Sequence, residues 1–251
     1  MDASITCRDW LTQLVKKHRN TVMPLRYPVD RRASVKDVIE SLSIPHTEVG
    51  RLTLNGEEID FGHLLAGGDR LVAEPHAPPV DVTVSTRLRP QPLPAVRFLV
   101  DHNVARLAAK LRMAGFDTLF DPAWHDDELA LAADRQGRIL LSRDLGLLKR
   151  KKVLHGHLVR EANPARQLGE ILHFYGLAGH IVPFGRCLRC NTLLTPVAKA
   201  DVIELLEPLT KKYYHSFQLC QGCTRIYWAG SHHERMSELL AGLASYQPLP
   251  Y

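Results

Sequence analysis

The sequence contains no run of apolar residues long enough to span a bilayer, and its first residues, MDASITCRDW, lack the apolar core of a signal peptide. It also lacks internal repeats and low-complexity tracts, which excludes solenoid and fibrous architectures. We therefore expect a cytoplasmic protein with no membrane partner. Its 251 residues suffice for one large domain or for two to three small ones.

Cysteine is scarce, and the five cysteines cannot all form disulfides with one another. Four of them form two C-x2-C pairs separated by 29 residues, a pattern typical of zinc sites. These four are Cys187, Cys190, Cys220 and Cys223. Four thiolates complete a tetrahedral shell and leave no position for water, so the pattern predicts a structural zinc ion. A redox role for one of the pairs is the alternative interpretation.

The net charge is +5, and the basic residues are concentrated in one segment. Within ten residues the sequence has Arg143, Lys149, Arg150, Lys151 and Lys152. Such a cluster beside acidic residues suits a phosphate backbone, which makes Arg143 and Lys149 candidates for binding phosphate. A solvated helix face explains the same cluster without any ligand.

The first 76 residues have the pattern of a small α/β domain. Ser34 is suited to cap a helix whose apolar side chains recur at helical spacing, and Asn55-Gly56 is a strong hairpin signal. Strands around one helix predict a β-grasp, ubiquitin-like domain over residues 1–76. Six of the 16 prolines then fall within twenty residues, which predicts an extended linker over residues 77–95 that includes a short edge strand at 80–86.

Strands and helices alternate over residues 96–180, which predicts a three-layer α/β domain with a parallel sheet. The predicted strands cover 97–101, 117–120, 138–142 and 155–160, and the predicted helices cover 104–113, 126–136, 145–152 and 164–175. Residues 181–251 contain the cysteine pairs and are assigned to a zinc ribbon and a C-terminal tail, with a helix at 200–206 between the pairs.

Acidic residues follow two of the predicted strands. Asp101 and Asp144 both lie at strand ends, where ligands bind in parallel α/β sheets, and Asp126 begins the helix between them as its candidate N-cap. Converging carboxylates are ligands for Mg²⁺ or Mn²⁺, which activate water in phosphodiester cleavage. Asp127 is an alternative third acid, and Asn103 and Ser142 are placed to support the carboxylates. The alternative is that each acid only caps a helix or a turn.

The stretches RFLVDHNVARLAAKLRMAGFDTLF, DDELALAADRQGRILLSRDLGLLKRK, HGHLVR, PFGRCLRCNTLL and CQGCTRIYWAGSH resemble the Mut7-C RNase domain family. SVKDVIESLSIPHTEVGRLTLNGEEIDF and GGDRLVAEP are similar to the ubiquitin-like domain that often precedes it. The resemblance implies a PIN-like fold, RNA hydrolysis with a divalent metal and an appended zinc ribbon. It implies catalytic roles for Asp101, Asp126 and Asp144. The family usually has His and Gly shortly after the first acid, where this chain has Asn103 and Ala105, and Thr at the position of Ser142.

Together these features predict a ribonuclease that uses Mg²⁺ or Mn²⁺ for catalysis, a structural Zn²⁺, and RNA as its partner. The front domain is expected to dock a protein partner or to place RNA. A non-catalytic RNA-binding or adaptor protein is the second hypothesis, and a toxin-like RNase with one cognate site is the third.

Overall fold

The structure, a computed structural model, describes residues 1–15, 22–243 and 246–249. Its front domain contains a five-stranded sheet with the order β2-β1-β5-β3-β4, in which β1 and β5 are parallel. The strands are β1 (Asp2–Cys7), β2 (Leu25–Pro28), β3 (Val49–Leu54), β4 (Glu57–Glu58) and β5 (Arg70–Pro75), and the helices are α1 (Leu11–Leu14) and α2 (Val35–Ser41). This arrangement confirms the predicted β-grasp fold.

The helix cap and the hairpin turn of the front domain form as the sequence predicts. The side chain of Ser34 accepts a hydrogen bond from the N–H of Asp37 at 3.1 Å and thereby caps α2. The apolar side of α2 is buried against the sheet. Asn55 and Gly56 both have positive φ, +54° and +95°, which suits the tight turn between β3 and β4.

The proline-rich segment after β5 is packed against both neighbouring domains. The predicted edge strand at 80–86 does not form, because the carboxylate of Asp81 accepts hydrogen bonds from the N–H and hydroxyl of Thr83 and bends the chain. Val82 and Leu93 are buried in the core of the next domain. The guanidinium of Arg89 donates to three backbone carbonyls of the front domain. Prolines exclude a regular element here, but they do not prevent burial.

The central domain contains a parallel four-stranded sheet with the order β7-β6-β8-β9. Its strands are β6 (Phe98–Val100), β7 (Thr118–Leu119), β8 (Ile139–Ser142) and β9 (Gly156–Leu158). Its helices are α3 (Ala105–Met113), α4 (Asp126–Gln136), α5 (Leu145–Leu148) and α6 (Pro164–Phe174). The strands are shorter than predicted and α5 ends before the basic residues, but every predicted element of this domain is present.

Alternate residues of the central strands face opposite layers, as in any sheet that is buried on both sides. Phe98 and Val100 of β6 pack with α3 and α6 in one core. Leu99 and Leu140 pack on the other side with α4 and α5, in a core continuous with that of the front domain. The predicted three-layer α/β fold is therefore confirmed, and the front domain covers part of one layer.

Buried polar contacts also join the front and central domains. Glu48, which is 1% exposed, accepts a hydrogen bond from the N–H of Leu158 at 2.7 Å. Nε2 of His46 lies 2.8 Å from the carbonyl oxygen of Val153. Because unpaired buried polar groups are costly, these contacts require the two domains to keep one relative position.

The last part of the chain forms a small antiparallel sheet with the order β10-β11-β12. It consists of β10 (Leu194–Val197), β11 (Phe217–Cys220) and β12 (Ile226–Trp228), with the helices α7 (Lys199–Val202), α8 (Pro208–Tyr213) and α9 (Ser231–Gly242). The helix predicted at 200–206 consists of α7 and a 3-10 turn, Ile203–Leu205. Among the helices that the structure describes, none combines the length and the apolar composition that crossing a bilayer requires.

Candidate functional site

In the central sheet β6 and β8 are neighbours, and the chain continues from β6 to β7 on one side and from β8 to β9 on the other side. This change of direction leaves a crevice at the carboxyl ends of β6 and β8. Asp101 directly follows β6 and is 1% exposed. Its Oδ2 accepts hydrogen bonds from the hydroxyl of Ser142 and from Nδ2 of Asn103, both at 2.6 Å. These two bonds fix the orientation of the buried carboxylate.

The second oxygen of Asp101 faces His102. Oδ1 is buried and accepts no hydrogen bond from the residues that the structure describes, although Nδ1 of the exposed His102 lies 2.8 Å away. A buried carboxylate oxygen without a hydrogen bond is unusual in a folded protein. It is the kind of atom that a cation coordinates.

The two strand ends are tied together by hydrogen bonds around Ser142. Its hydroxyl oxygen accepts the N–H of Asp144 at 2.8 Å, and Oδ1 of Asn103 accepts the N–H of Arg143 at 3.1 Å. Oδ1 of Asp144 caps α5 by accepting the N–H of Gly146 at 2.6 Å. Hydrogen bonds thus link Asp101, Asn103, Ser142 and Asp144, and of these Asn103 and the exposed Asp144 line an open crevice.

Asp126 and Asp127 lie at the start of α4 and pair with the guanidinium of Arg150. Oδ2 of Asp126 is 3.4 Å from this guanidinium, and Oδ1 of Asp127 makes the closer contact. The prediction that Asp126 is the N-cap is wrong. His125 holds that position, because the carboxylate of Glu128 accepts the N–H of His125 at 2.8 Å, and Asp126 is the first residue of the helix.

The three predicted catalytic acids do not form one ready metal-binding group. Within the described ranges, the four cysteines are the one group of three or more metal-ligating side chains close enough to share an ion. Asp101 and Asp144 are linked through Ser142, whereas the charge of Asp126 is balanced by Arg150. Sequence reasoning missed this arginine, which it counted only as part of the basic cluster.

The two predicted phosphate-binding cations make other contacts. Arg143 donates from its guanidinium to the carbonyl oxygen of Glu161 at 3.0 Å. Lys149 donates from Nζ to the carbonyl oxygen of Glu40 in the front domain at 2.8 Å. The ammonium group of Lys149 therefore belongs to the interface between the two domains, while the side chains of Lys151 and Lys152 are exposed.

We expect Lys149→Met to lower the free energy of unfolding by about 1.5 kcal/mol, because it removes a charged hydrogen bond between domains. Lys151→Met, at an exposed lysine, is the matched control and should leave stability unchanged. Urea unfolding measures both changes, and equal stability of the two variants would show that the contact of Lys149 with the front domain contributes nothing.

The four cysteines converge between the ends of the ribbon strands. Their sulfur atoms all lie within 4.8 Å of one another, with Cys187 Sγ 3.5 Å from Cys223 Sγ and Cys190 Sγ 3.3 Å from Cys220 Sγ. The hydroxyl of Tyr227 lies 3.1 Å from Cys187 Sγ. This geometry confirms the predicted cluster, which can hold a zinc ion.

The thiols of this cluster differ in pKa. Burial disfavours the thiolate of Cys190, yet hydrogen bonding with Thr192 and with neighbouring cysteines lowers its pKa to about 6. Burial raises the pKa of Cys223 to about 12. Closely spaced thiols repel one another once they ionise, so they become thiolates together only when a cation compensates their charge.

The first cysteine pair is also attached to the central domain. The buried guanidinium of Arg112 donates to the carbonyl oxygens of Leu188 at 3.0 Å and Arg189 at 2.7 Å. Oδ1 of Asn191 accepts the N–H of Thr118 at the edge of β7 at 3.0 Å. The turn that carries Cys187 and Cys190 therefore completes the hydrogen bonding of the central sheet edge.

Comparison with protein families gives two matches that follow one another along the chain. The model of a family described as Mut7-C ubiquitin matches residues 3–81. The model of a family described as Mut7-C RNAse domain matches residues 96–240, which is more than half of the chain. Searches of curated proteins and of solved structures returned no match.

Proposed function

The chain belongs to the Mut7-C RNAse domain family, and from this premise we propose that it is a ribonuclease that depends on a divalent metal ion. The observation that carries the proposal is the buried carboxylate of Asp101, which lies where the strand order of the parallel sheet changes direction between β6 and β8. Its Oδ2 is held by two hydrogen bonds, and its Oδ1 accepts none from the described residues.

The carboxylates of Asp101 and Asp144 have the oxygen chemistry of a site for a divalent cation, and Asp126 must leave Arg150 to join them. Carboxylate oxygens are the ligands that Mg²⁺ and Mn²⁺ prefer, and Asp101 offers Oδ1 while Asp144 offers the oxygen that does not cap α5. Asp126 is the third proposed ligand, with Asp127 as the alternative beside it. When bound, the ion activates water and neutralises charge at the scissile phosphate.

The other groups of the crevice have positioning roles in this proposal. Ser142 and Asn103 hold the Asp101 carboxylate in one orientation, and they tie the ends of β6 and β8 together. The exposed side chains of Arg143, Lys151 and Lys152 are the proposed contacts for the RNA backbone. Each would position phosphate without reading the base sequence.

We also propose that the four cysteines hold a structural zinc ion rather than a redox disulfide. Four sulfur ligands leave no coordination position for substrate, and the cluster connects strands of a very small sheet. The front domain is proposed as a docking site for a protein partner, which its match to a ubiquitin-like family supports.

The test is cleavage of labelled single-stranded and structured RNAs by the zinc-loaded chain, with Mg²⁺, Mn²⁺ or neither. Asp101→Asn and Asp144→Asn are each expected to lower the cleavage rate by roughly 100-fold or more, because each removes a metal-ligating charge. Asp134→Asn, at an exposed acid on α4, is the matched control and should cut at the wild-type rate.

Binding of the same RNAs separates the two main hypotheses. The ribonuclease proposal requires that Asp101→Asn binds RNA but no longer cuts it. If the folded, metal-loaded wild type binds RNA and leaves it intact under all three metal conditions, the non-catalytic binding protein becomes the better description.

A further inference from the structure

A cleft lined by aromatic side chains lies between the ribbon sheet and α9, and neither the proposed active site nor the cysteine cluster uses it. Its volume is about 640 Å³, which is within the usual range for sites of small ligands. The apolar part of its lining includes Phe184, Tyr214, Phe217, Tyr227, Trp228 and Met236.

The ring of Trp228 is exposed at this cleft and that of Tyr214 is half-buried, whereas Phe217 belongs to the core of the ribbon. Trp228 is 38% exposed, and its ring centroid lies 6.3 Å from that of Tyr214. Phe217 is buried beneath Trp228, with 6.4 Å between their centroids. A planar ligand could therefore lie against Trp228 and Tyr214 while Phe217 keeps the sheet in place.

The cleft also has polar groups, but no lysine, arginine, aspartate or glutamate among its described lining residues. Ser216, Gln218 and Ser231 line it together with the aromatic rings. An amide and hydroxyls can donate and accept hydrogen bonds at the edge of a flat ligand. This combination of aromatic faces and uncharged polar groups suits a nucleobase, which has a π-face and a polar edge.

Two cations lie close in sequence to the lining residues. Lys212 precedes Tyr214 by two residues, with its Nζ over the ring of Tyr213 at 5.2 Å from the centroid, and Arg225 immediately precedes β12. Both side chains are exposed and form no ion pair with the described residues. A negatively charged chain that enters the cleft would pass these cations, which gives charge complementarity to a phosphate backbone.

We propose that this cleft binds an unpaired base of single-stranded RNA, with the flanking phosphates at Lys212 and Arg225. The identity of the polyanion rests on the proposed ribonuclease function, whereas base stacking rests on the cleft itself. The proposed substrates are therefore RNAs with unpaired segments. They should bind better than a continuous duplex, because the bases of a duplex are stacked and inaccessible.

The test measures affinity for short RNAs by fluorescence anisotropy, with Asp101→Asn as the parent so that no probe is cut. The probes are an oligouridine, an abasic oligonucleotide with the same number of phosphates, and a blunt RNA duplex. Trp228→Ala and Tyr214→Ala should each weaken oligouridine binding roughly 10-fold or more, since base–aromatic stacking contributes strongly to single-strand binding.

Three controls make the result specific. Trp228→Phe retains a ring and should keep most of the affinity. Leu205→Ala removes an exposed apolar side chain of the ribbon outside the cleft and should change affinity by less than about twofold. The abasic probe should bind weakly to the parent and respond little to Tyr214→Ala. Zinc content shows that each variant keeps its ribbon.

Oligouridine affinity that is unchanged in both alanine variants would overturn the proposal and leave a peptide as the better occupant. Equal binding of the abasic probe and oligouridine would also overturn it, because phosphate attraction would then explain the affinity. If RNA binding depends on Trp228 and Tyr214 but wild type cuts no RNA, this inference stands while the ribonuclease proposal fails.

Discussion

Replacing Cys187 and Cys220 together by serine is expected to abolish zinc binding and to unfold the ribbon. The buried core of the ribbon consists of Val202, Leu206 and Phe217, with a few partly buried side chains around it. So small a core cannot offset the conformational entropy of the segment. Structural zinc contributes about 10 to 16 kcal/mol of binding free energy in small zinc domains, so its loss exceeds what the remaining contacts supply.

The effect of this double substitution should extend into the central domain. The turn between Cys187 and Cys190 supplies the carbonyl acceptors of Nη1 of Arg112, whose Nε donates to Thr118 within the central domain, and Asn191 satisfies the N–H of Thr118. When that turn unfolds, Nη1 of the guanidinium and a sheet-edge N–H lose their acceptors, which costs about 1 to 3 kcal/mol for each group. We therefore expect a lower thermal midpoint for the whole chain.

Metal analysis of the purified chain and thermal unfolding test this prediction. Wild type should contain a single zinc ion per chain, and the double variant should contain essentially none. Cys7→Ala is the matched control, since Cys7 is buried in the front domain away from the cluster, and it should retain the zinc. A double variant that keeps the wild-type midpoint would show that the ribbon does not depend on metal.

Local signals in the sequence predicted the parts of the fold that local chemistry determines. The predicted bounds of α4 are correct. Its C-terminal end could be predicted because Gly137, in the left-handed conformation at φ +56°, ends the helix. The paired cysteines predicted the cluster because each C-x2-C turn brings its two sulfur atoms together. Asp101 and Asp144 could be placed at one edge because the carboxyl ends of parallel strands meet there.

Contacts between distant segments could not be predicted from the sequence. Nothing near Arg150 indicates that it pairs with the acids at the start of α4, since 23 residues separate it from Asp127. The proline-rich segment was predicted as a linker from composition, but its burial depends on Val82 and Leu93 finding the central core. Glu48, to which the sequence analysis assigns no role, is 1% exposed in the structure because it lies between the two domains.

Glu48→Ala is expected to destabilise the chain by about 3 kcal/mol, because it leaves the buried N–H of Leu158 without an acceptor and creates a cavity between the domains. Glu48→Gln keeps an oxygen at the same position and should stay within about 1 kcal/mol of wild type at low pH. Urea unfolding of the full-length chain measures both changes. Equal losses in the two variants would mean that the hydrogen bond contributes nothing.

The pH dependence of Glu48→Gln provides an independent test of the same contact. Burial raises the pKa of Glu48, so the folded state binds its proton more tightly than the unfolded state does. Wild type therefore loses stability as pH rises from the ordinary carboxyl range through this raised pKa, while the glutamine variant does not titrate there. Burial opposes ionisation of Glu170, but hydrogen bonds from His157 and backbone N–H groups lower its pKa. That opposite effect is present in both proteins, and the Glu48→Gln difference reports Glu48 together with its electrostatic interactions with His157 and Glu170. The variant should thus gain stability relative to wild type as pH rises above the ordinary carboxyl range, and a constant difference would show that Glu48 titrates normally and is not buried at a fixed interface.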